Sequence, residues 1–491
     1  MRLTSRFLTG LLSVVALVSG CQVTAPRELP PVVATPTVYA GNPTTPDTAS
    51  ISDLPWQTFF ADSALVGLID TALAQNLDLR MALQRVEQAR ANWLERRAPL
   101  LPTVNGVAAA GLDHYGDYTL NGVGNFDTNL SQNIEGQRRI PTTLTPDYFL
   151  GLRASWELDL WGKLRSRRKA AYLRLLASVE GRNLVVTSLV AEVARGYYEL
   201  LTLDNQLASL ERNATLQQRG LDIMRVQKQA GRATELAVQQ FAAQLLRTRS
   251  LGFEVRQRIT ETENQLNQLL GRYPRRIARG RALAQQELPT RLVAGLPSHL
   301  LLRRPDVRQA ELELTAAHAD VDAARAAFLP SLTLTPYLGF NAFRTAALLN
   351  PASLAYGALA GLSAPVFNRR QLKADYGRSV AVNLEAYYGY QKAIQTGFRE
   401  VSTNLRGLEN YRQVAALRQQ EVETLTKAIA TATDLQVAGY ATYLEVITAQ
   451  RSALEAELSL AEVRRTQFLQ AIDLYRALGG GWAATAVPAG R

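Results

Sequence analysis

The chain is written twice, and the two copies keep register everywhere except in one segment. At a separation of 228 residues, Asp78, Leu79, Arg80, Ala82, Arg97, Ala98, Leu101 and Pro102 fall on Asp306, Val307, Arg308, Ala310, Arg325, Ala326, Leu329 and Pro330. Beyond those prolines the separation is 208, so that Ser155, Leu164, Glu192, Val193, Leu270 and Gly271 fall on Ser363, Leu372, Glu400, Val401, Leu478 and Gly479. The clearest shared string is AGxATxLxV, which starts at Ala230 and again at Ala438. The 20-residue slip lies wholly between Pro102 and Ser155, which places a tolerant loop there. Two copies are too few for a solenoid array.

Proline placement sets the architecture. None occurs between Pro146 and Pro274 or between Pro365 and Pro488, and both windows are rich in Ala, Leu, Gln, Arg and Glu. These are the strongest helix formers, so long helices follow. Val186, Leu189, Val193, Tyr197 and Leu200 recur at steps of three and four, an apolar seam of the coiled-coil kind. The outward helices are expected from Gly162 to Gly231 and from Arg370 to Gly439, each about 100 Å at 1.5 Å per residue. Shorter return helices are expected over Leu236 to Leu270 and Leu444 to Leu478, about 50 Å each, with the missing half supplied by Ala61 to Arg97 and Asp306 to Arg325. Each AGxATxL string then makes a turn, with glycine ending one helix and threonine capping the next.

After Pro102 and Pro330 the period switches to two. Leu150, Leu152, Ala154, Trp156, Leu158 and Leu160 alternate with Gly151, Arg153, Ser155, Glu157, Asp159 and Trp161. Similar alternation marks Leu332 to Phe340 and Tyr356 to Ala364. Runs of about ten residues with aromatic ends match tilted membrane strands. Four strands cannot close a barrel, and an open sheet edge cannot face lipid. The chain must therefore oligomerise to span a membrane; three copies supply twelve strands, enough for an open lumen, and the same arithmetic also allows two or four copies. Arg153, Glu157 and Asp159 are expected in that lumen, because a mid-depth charge facing lipid costs about 2 to 4 kcal/mol.

The start of the chain indicates the compartment. Arg2 and Arg6 precede an apolar run from Phe7 to Val18, and small residues lead to Cys21, the only cysteine. This reads as a signal peptide over 1–20. LVSGC resembles a bacterial lipobox, which implies acylation of Cys21, with Gln22 favouring the outer membrane. A Pro-, Thr- and Ala-rich tether over 21–54 follows. The remaining chain divides into repeat 1 over 55–289 with a β-hairpin at about 103–160, repeat 2 over 290–480 with a hairpin at about 331–367, and a tail over 481–491.

Other classes fit poorly. The net charge of +11 is scattered among acids without the basic stripe of a nucleic-acid binder, so no nucleic-acid partner is expected. His114, His299 and His318 belong to no metal or catalytic motif, so no enzyme, cofactor or metal site is expected. A structural coiled-coil lipoprotein explains Cys21 and the helices but not the strands.

The strings WQTFFADSALVGLIDTALAQNLDLR from Trp56, SWELDLWGKLR from Ser155 and GLPSHLLLRRPDVRQAE from Gly295 resemble the outer-membrane factor (TolC-like) family, in its NodT-type lipoprotein branch. The resemblance implies a mostly α fold with a membrane β-barrel part, closing as a homotrimer in outer-membrane lipid. It also implies a periplasmic adaptor (membrane fusion protein) and an inner-membrane resistance-nodulation-division (RND) transporter as partners. A type I secretion channel is the alternative within the family. Gly231, Thr234, Leu236, Gly439, Thr442 and Leu444 match the family's periplasmic tips, where the adaptor docks. Glu445, which stands where the first copy has Ala237, matches an acidic residue that faces the family's constriction; the second nearby acid is replaced by Thr448.

Overall fold

The protein is described by a computed structural model covering residues 30, 31, 36, 39, 50–287, 294, 295, 297–365, 367 and 369–482. The signal segment, Cys21 and most of the tether lie outside the described residues. The elements run α1 (Ser63–Gln75), α2 (Leu77–Arg97), β1 (Thr103–Asp113), α3 (Leu120–Leu130), β2 (Thr145–Leu158), α4 (Lys163–Gln229) and α5 (Glu235–Leu269). They continue with α6 (Pro297–Arg303), α7 (Pro305–Ala326), β3 (Ser331–Ala342), β4 (Leu354–Ser363), α8 (Arg369–Val437) and α9 (Tyr443–Ala477). The long helices fall where the proline-free windows require. The loop that carries the 20-residue slip contains α3, which has no counterpart between β3 and β4.

The chain divides into two compact units, and each draws on both sequence copies. Among the described residues, one comprises those of Gln88–Leu175 and Glu313–Tyr387; the other comprises those of Pro31–Glu87, Leu176–Leu312 and Tyr388–Trp482. The first holds a single antiparallel sheet in the order β1-β2-β3-β4. Among the described residues, β1 and β4 each pair on one side only.

The second unit is helical and carries the main core. The seam residues Val186, Leu189, Val193, Tyr197 and Leu200 of α4 are all buried there, with Leu65 and Ile69 of α1, Leu266 of α5 and Ile472 of α9. Aromatic stacking joins α4 to α9, with the Tyr198 and Phe468 ring centroids 4.4 Å apart, and holds the segment before α1 on α9, with those of Phe59 and Tyr475 4.3 Å apart. Inside this core sits a carboxylate, Asp62. It caps α1 through the Ala64 amide at 2.9 Å and accepts from the Tyr197 hydroxyl at 2.8 Å, Gln286 Nε2 at 2.6 Å and the Arg281 amide at 3.3 Å. Burial alone would raise its pKa, but these donors outweigh burial, and the carboxyl titrates below its ordinary range.

The RRPD string forms a second buried polar hub. Arg304 chelates Asp306 through Nε at 3.0 Å and Nη2 at 2.7 Å, and its Nη1 reaches Glu400 of α8 at 2.8 Å and the Ala477 carbonyl of α9 at 2.9 Å. In the first copy the equivalent position is Asn76, whose Nδ2 donates to the Leu269 carbonyl of α5 at 2.9 Å. Leu269 and Ala477 are themselves equivalent, so the duplication repeats one helix-end contact with a neutral donor in one copy and a cation in the other.

A lowered carboxyl pKa stabilises the fold above the unfolded-state value, about 4, and that contribution is lost as pH falls through the folded value. Asp62→Asn is therefore expected to lower stability at pH 7 by about 1 to 3 kcal/mol. The gap should close below about pH 4. Denaturant midpoints of the detergent-solubilised protein, measured across that range, check both points.

Candidate functional site

The register of the sheet sorts the strands into two faces. Asn105, Arg153, Tyr337 and Gly357 lie across from one another, as do Gly106, Leu152, Leu338 and Tyr356 one residue away. Alternation carries each set along its strand. The face holding Leu152 contains Val104, Ala108, Leu112, Leu150, Trp156, Leu334, Leu338, Phe340, Tyr356 and Leu362 and no ionisable group other than tyrosine. Several are broadly exposed in the single chain, including Leu112 at 66% and Leu362 at 69%. Such an apolar sheet face has no place in water.

The opposite face holds every charged residue of the four strands: Asp113, Asp147, Arg153 and Glu157. Glu157 is ion-paired with Lys163. Asp159, expected beside them, does not belong to this face. It lies past the end of β2, and its carboxylate accepts from the amides of Leu164 at 2.9 Å and Arg165 at 2.8 Å. It is the N-terminal cap of α4, because free N–H groups at a helix start attract a carboxylate more strongly than open solvent does.

At the C-terminal ends of α4 and α8 the two AGxATxL strings make matching turns. Gly231 and Gly439 take φ of 71° and 83°. The following amides close the helices, Arg232 onto Gln227 and Tyr440 onto Leu435, both at 2.8 Å. Thr234 caps α5 through the Ala237 amide at 3.2 Å, and Thr442 caps α9 through the Leu444 amide at 3.3 Å. Leu236 and Leu444 are exposed at 56% and 54%. Beneath the turns Met224, Ala237, Phe241 and Leu245 form a small core against which Tyr443 and Ile447 pack.

The tips differ in how they use their acids. Glu445 closes a capping box, accepting from the Thr442 amide at 2.9 Å and from its hydroxyl, and this hydrogen bonding lowers its pKa. Ala237 cannot do the same; there Glu235 pairs with Lys228 across the turn instead.

Sequence reasoning missed two features. Phe149 and Tyr337 share the charged face with Arg153, and the parity of Phe149 with Arg153 four residues on was the available signal. The Asp62 hub had none, since its partners lie 135 and 224 positions away. Among the described residues no cluster of three or more His, Cys, Asp or Glu is placed to hold a metal.

The profile of the outer membrane efflux protein family matches residues 68–272 and 296–480. The chain is 30% identical to the probable outer membrane lipoprotein SilC of Salmonella typhimurium, over 96% of this chain and 98% of that one. It is 34% identical to the pyoverdine export outer membrane protein OpmQ of Pseudomonas putida, over 90% and 91%. The open state of the Neisseria gonorrhoeae MtrE outer membrane channel superposes with a TM-score of 0.80 at 26% identity, covering 94% of this chain and 98% of that one.

A Cβ added at Gly231 or Gly439 would meet no atom within 4 Å, so the cost of alanine there is purely conformational. Gly439→Ala is expected to destabilise the end of α8 by about 1 kcal/mol. Amide hydrogen exchange in its last turn should accelerate about fivefold while the core of the unit is unchanged.

Proposed function

This chain belongs to the outer membrane efflux protein family and is an outer-membrane efflux channel, and from that premise we propose how it assembles and gates. Three copies join β4 of one to β1 of the next and close a twelve-stranded barrel, with the apolar face to lipid and the face of Arg153 and Glu157 to the lumen. The observation that carries this reading is a sheet with one wholly apolar face and two open edges. In this reading the strands are the spanning elements, since a closed barrel satisfies every backbone group in lipid.

The helical tips are the periplasmic end. Exposed Leu236 and Leu444, beside the turns at Gly231, Thr234, Gly439 and Thr442, offer an adaptor an apolar anchor at each copy of the repeat. An RND transporter in the inner membrane supplies the solute and the driving force, and the channel itself is passive. Cys21, acylated, holds the N-terminus to the membrane in keeping with the likeness to SilC. Glu445 lines the constriction: it is the acid that distinguishes the second tip, and the capping box holds its carboxylate ionised at the turn. Three such groups around an axis bind cations and impede conduction.

Reconstituted in planar bilayers, the protein is expected to form channels. Glu445→Ala should raise their single-channel conductance and weaken block by divalent cations. Absence of channels would overturn the conduit, and unchanged conductance and block would remove Glu445 from the constriction.

A further inference from the structure

Arg153 is the only basic residue in the four strands. It stands mid-strand with no carboxylate partner among the described residues. The neighbouring strand acids are otherwise engaged: Asp147 accepts from Asn341 Nδ2 at 2.6 Å, and Glu157 pairs with Lys163. One face of the Arg153 guanidinium lies 4.5 Å from the ring centroid of Phe149. Phe149 is only 5% exposed and serves as a pedestal, while Arg153 itself is exposed.

Beside it stands a second ring that is not covered. Tyr337 pairs directly across the strands with Arg153, meets Phe149 edge-on at 6.2 Å, and remains 42% exposed. Glycines hold both rings down against the wall. A Cβ at Gly357 would lie 2.7 Å from the Tyr337 ring, and one at Gly339 would lie 2.9 Å from the Phe149 ring. The result is a groove of about 640 Å³ lined by Phe149, Arg153, Thr335, Tyr337, Asn341 and Gly357.

We propose that this groove is a solute-binding station in the conduit wall for anions whose acid group is attached to an aromatic ring. The acid binds the Arg153 fork, whose planar N–H pairs fit a carboxylate in bidentate fashion. The ring lies on Tyr337, one cross-strand spacing away. The station rests on the channel reading, in which this face lines the lumen. Three copies then ring the barrel with unneutralised cations, so solute can pass from one to the next without a deep trap.

Planar-bilayer recording of the full-length protein tests this with benzoate, acetate and benzyl alcohol as probes. Benzoate is expected to reduce the open-channel current at concentrations about tenfold below those of either of the others. Arg153→Gln should abolish that preference, and Tyr337→Leu should bring benzoate down to the level of acetate. Arg153→Lys, which keeps the charge without the planar fork, should fall between and serves if the glutamine variant does not assemble. Block by benzoate no stronger than by acetate, or a preference unchanged in the Arg153 variants, overturns the station while leaving a conducting channel intact. A wild-type protein that forms no channel overturns the conduit and the station together.

Discussion

A β-strand edge in hydrocarbon leaves its N–H and C=O groups with nothing to bond, and this constraint governs the protein. Its sheet has four strands in simple meander order, with one face stripped of ionisable groups other than tyrosine and, among the described residues, two unpaired edges. A sheet of that composition is stable only where lipid covers the apolar face and further strands cover the edges. In the assembly proposed above the chain carries one arc of a barrel, and oligomerisation is then a condition of the membrane fold rather than an addition to it.

The helical unit solves a different problem, that of holding long helices in register. Side-chain seams at coiled-coil spacing do most of this through burial. Polar hubs fix the helix ends, where four backbone groups lack partners. Asn76 and Arg304 show how a duplicated chain diversifies such a hub. Both donate to the last carbonyls of a return helix, but Arg304 also gathers Asp306 and Glu400. An amide needs fewer partners to be satisfied in the interior, whereas a buried guanidinium is tolerated only with its charge and donors matched. The tips diverge in the same way, a capping box at Glu445 in one copy and the Lys228–Glu235 pair in the other.

Much of this was legible in the residues. The proline-free windows located α4 and α8, and the AGxATxL strings located the turns, because helix formation and capping depend on neighbours within a few positions. Alternation of period two showed which residues of β2 share a face. It also misplaced Asp159, since parity does not say where a strand stops. That residue sits at the junction of strand and helix, and the unpaired amides of α4 claimed its carboxylate.

What the sequence by itself determined, then, is what local chemistry controls: the long helices and their capped ends, the parity of each strand and the internal duplication. Only the tertiary structure decided which residues from distant parts of the chain meet. Tyr337 lies beside Arg153 because β2 pairs with β3 in one register out of several, and Asp62 meets Tyr197 and Gln286 because three separate segments pack on one core. Register and packing are chosen by the summed burial and hydrogen bonding of the whole fold, and no short stretch of residues carries that sum.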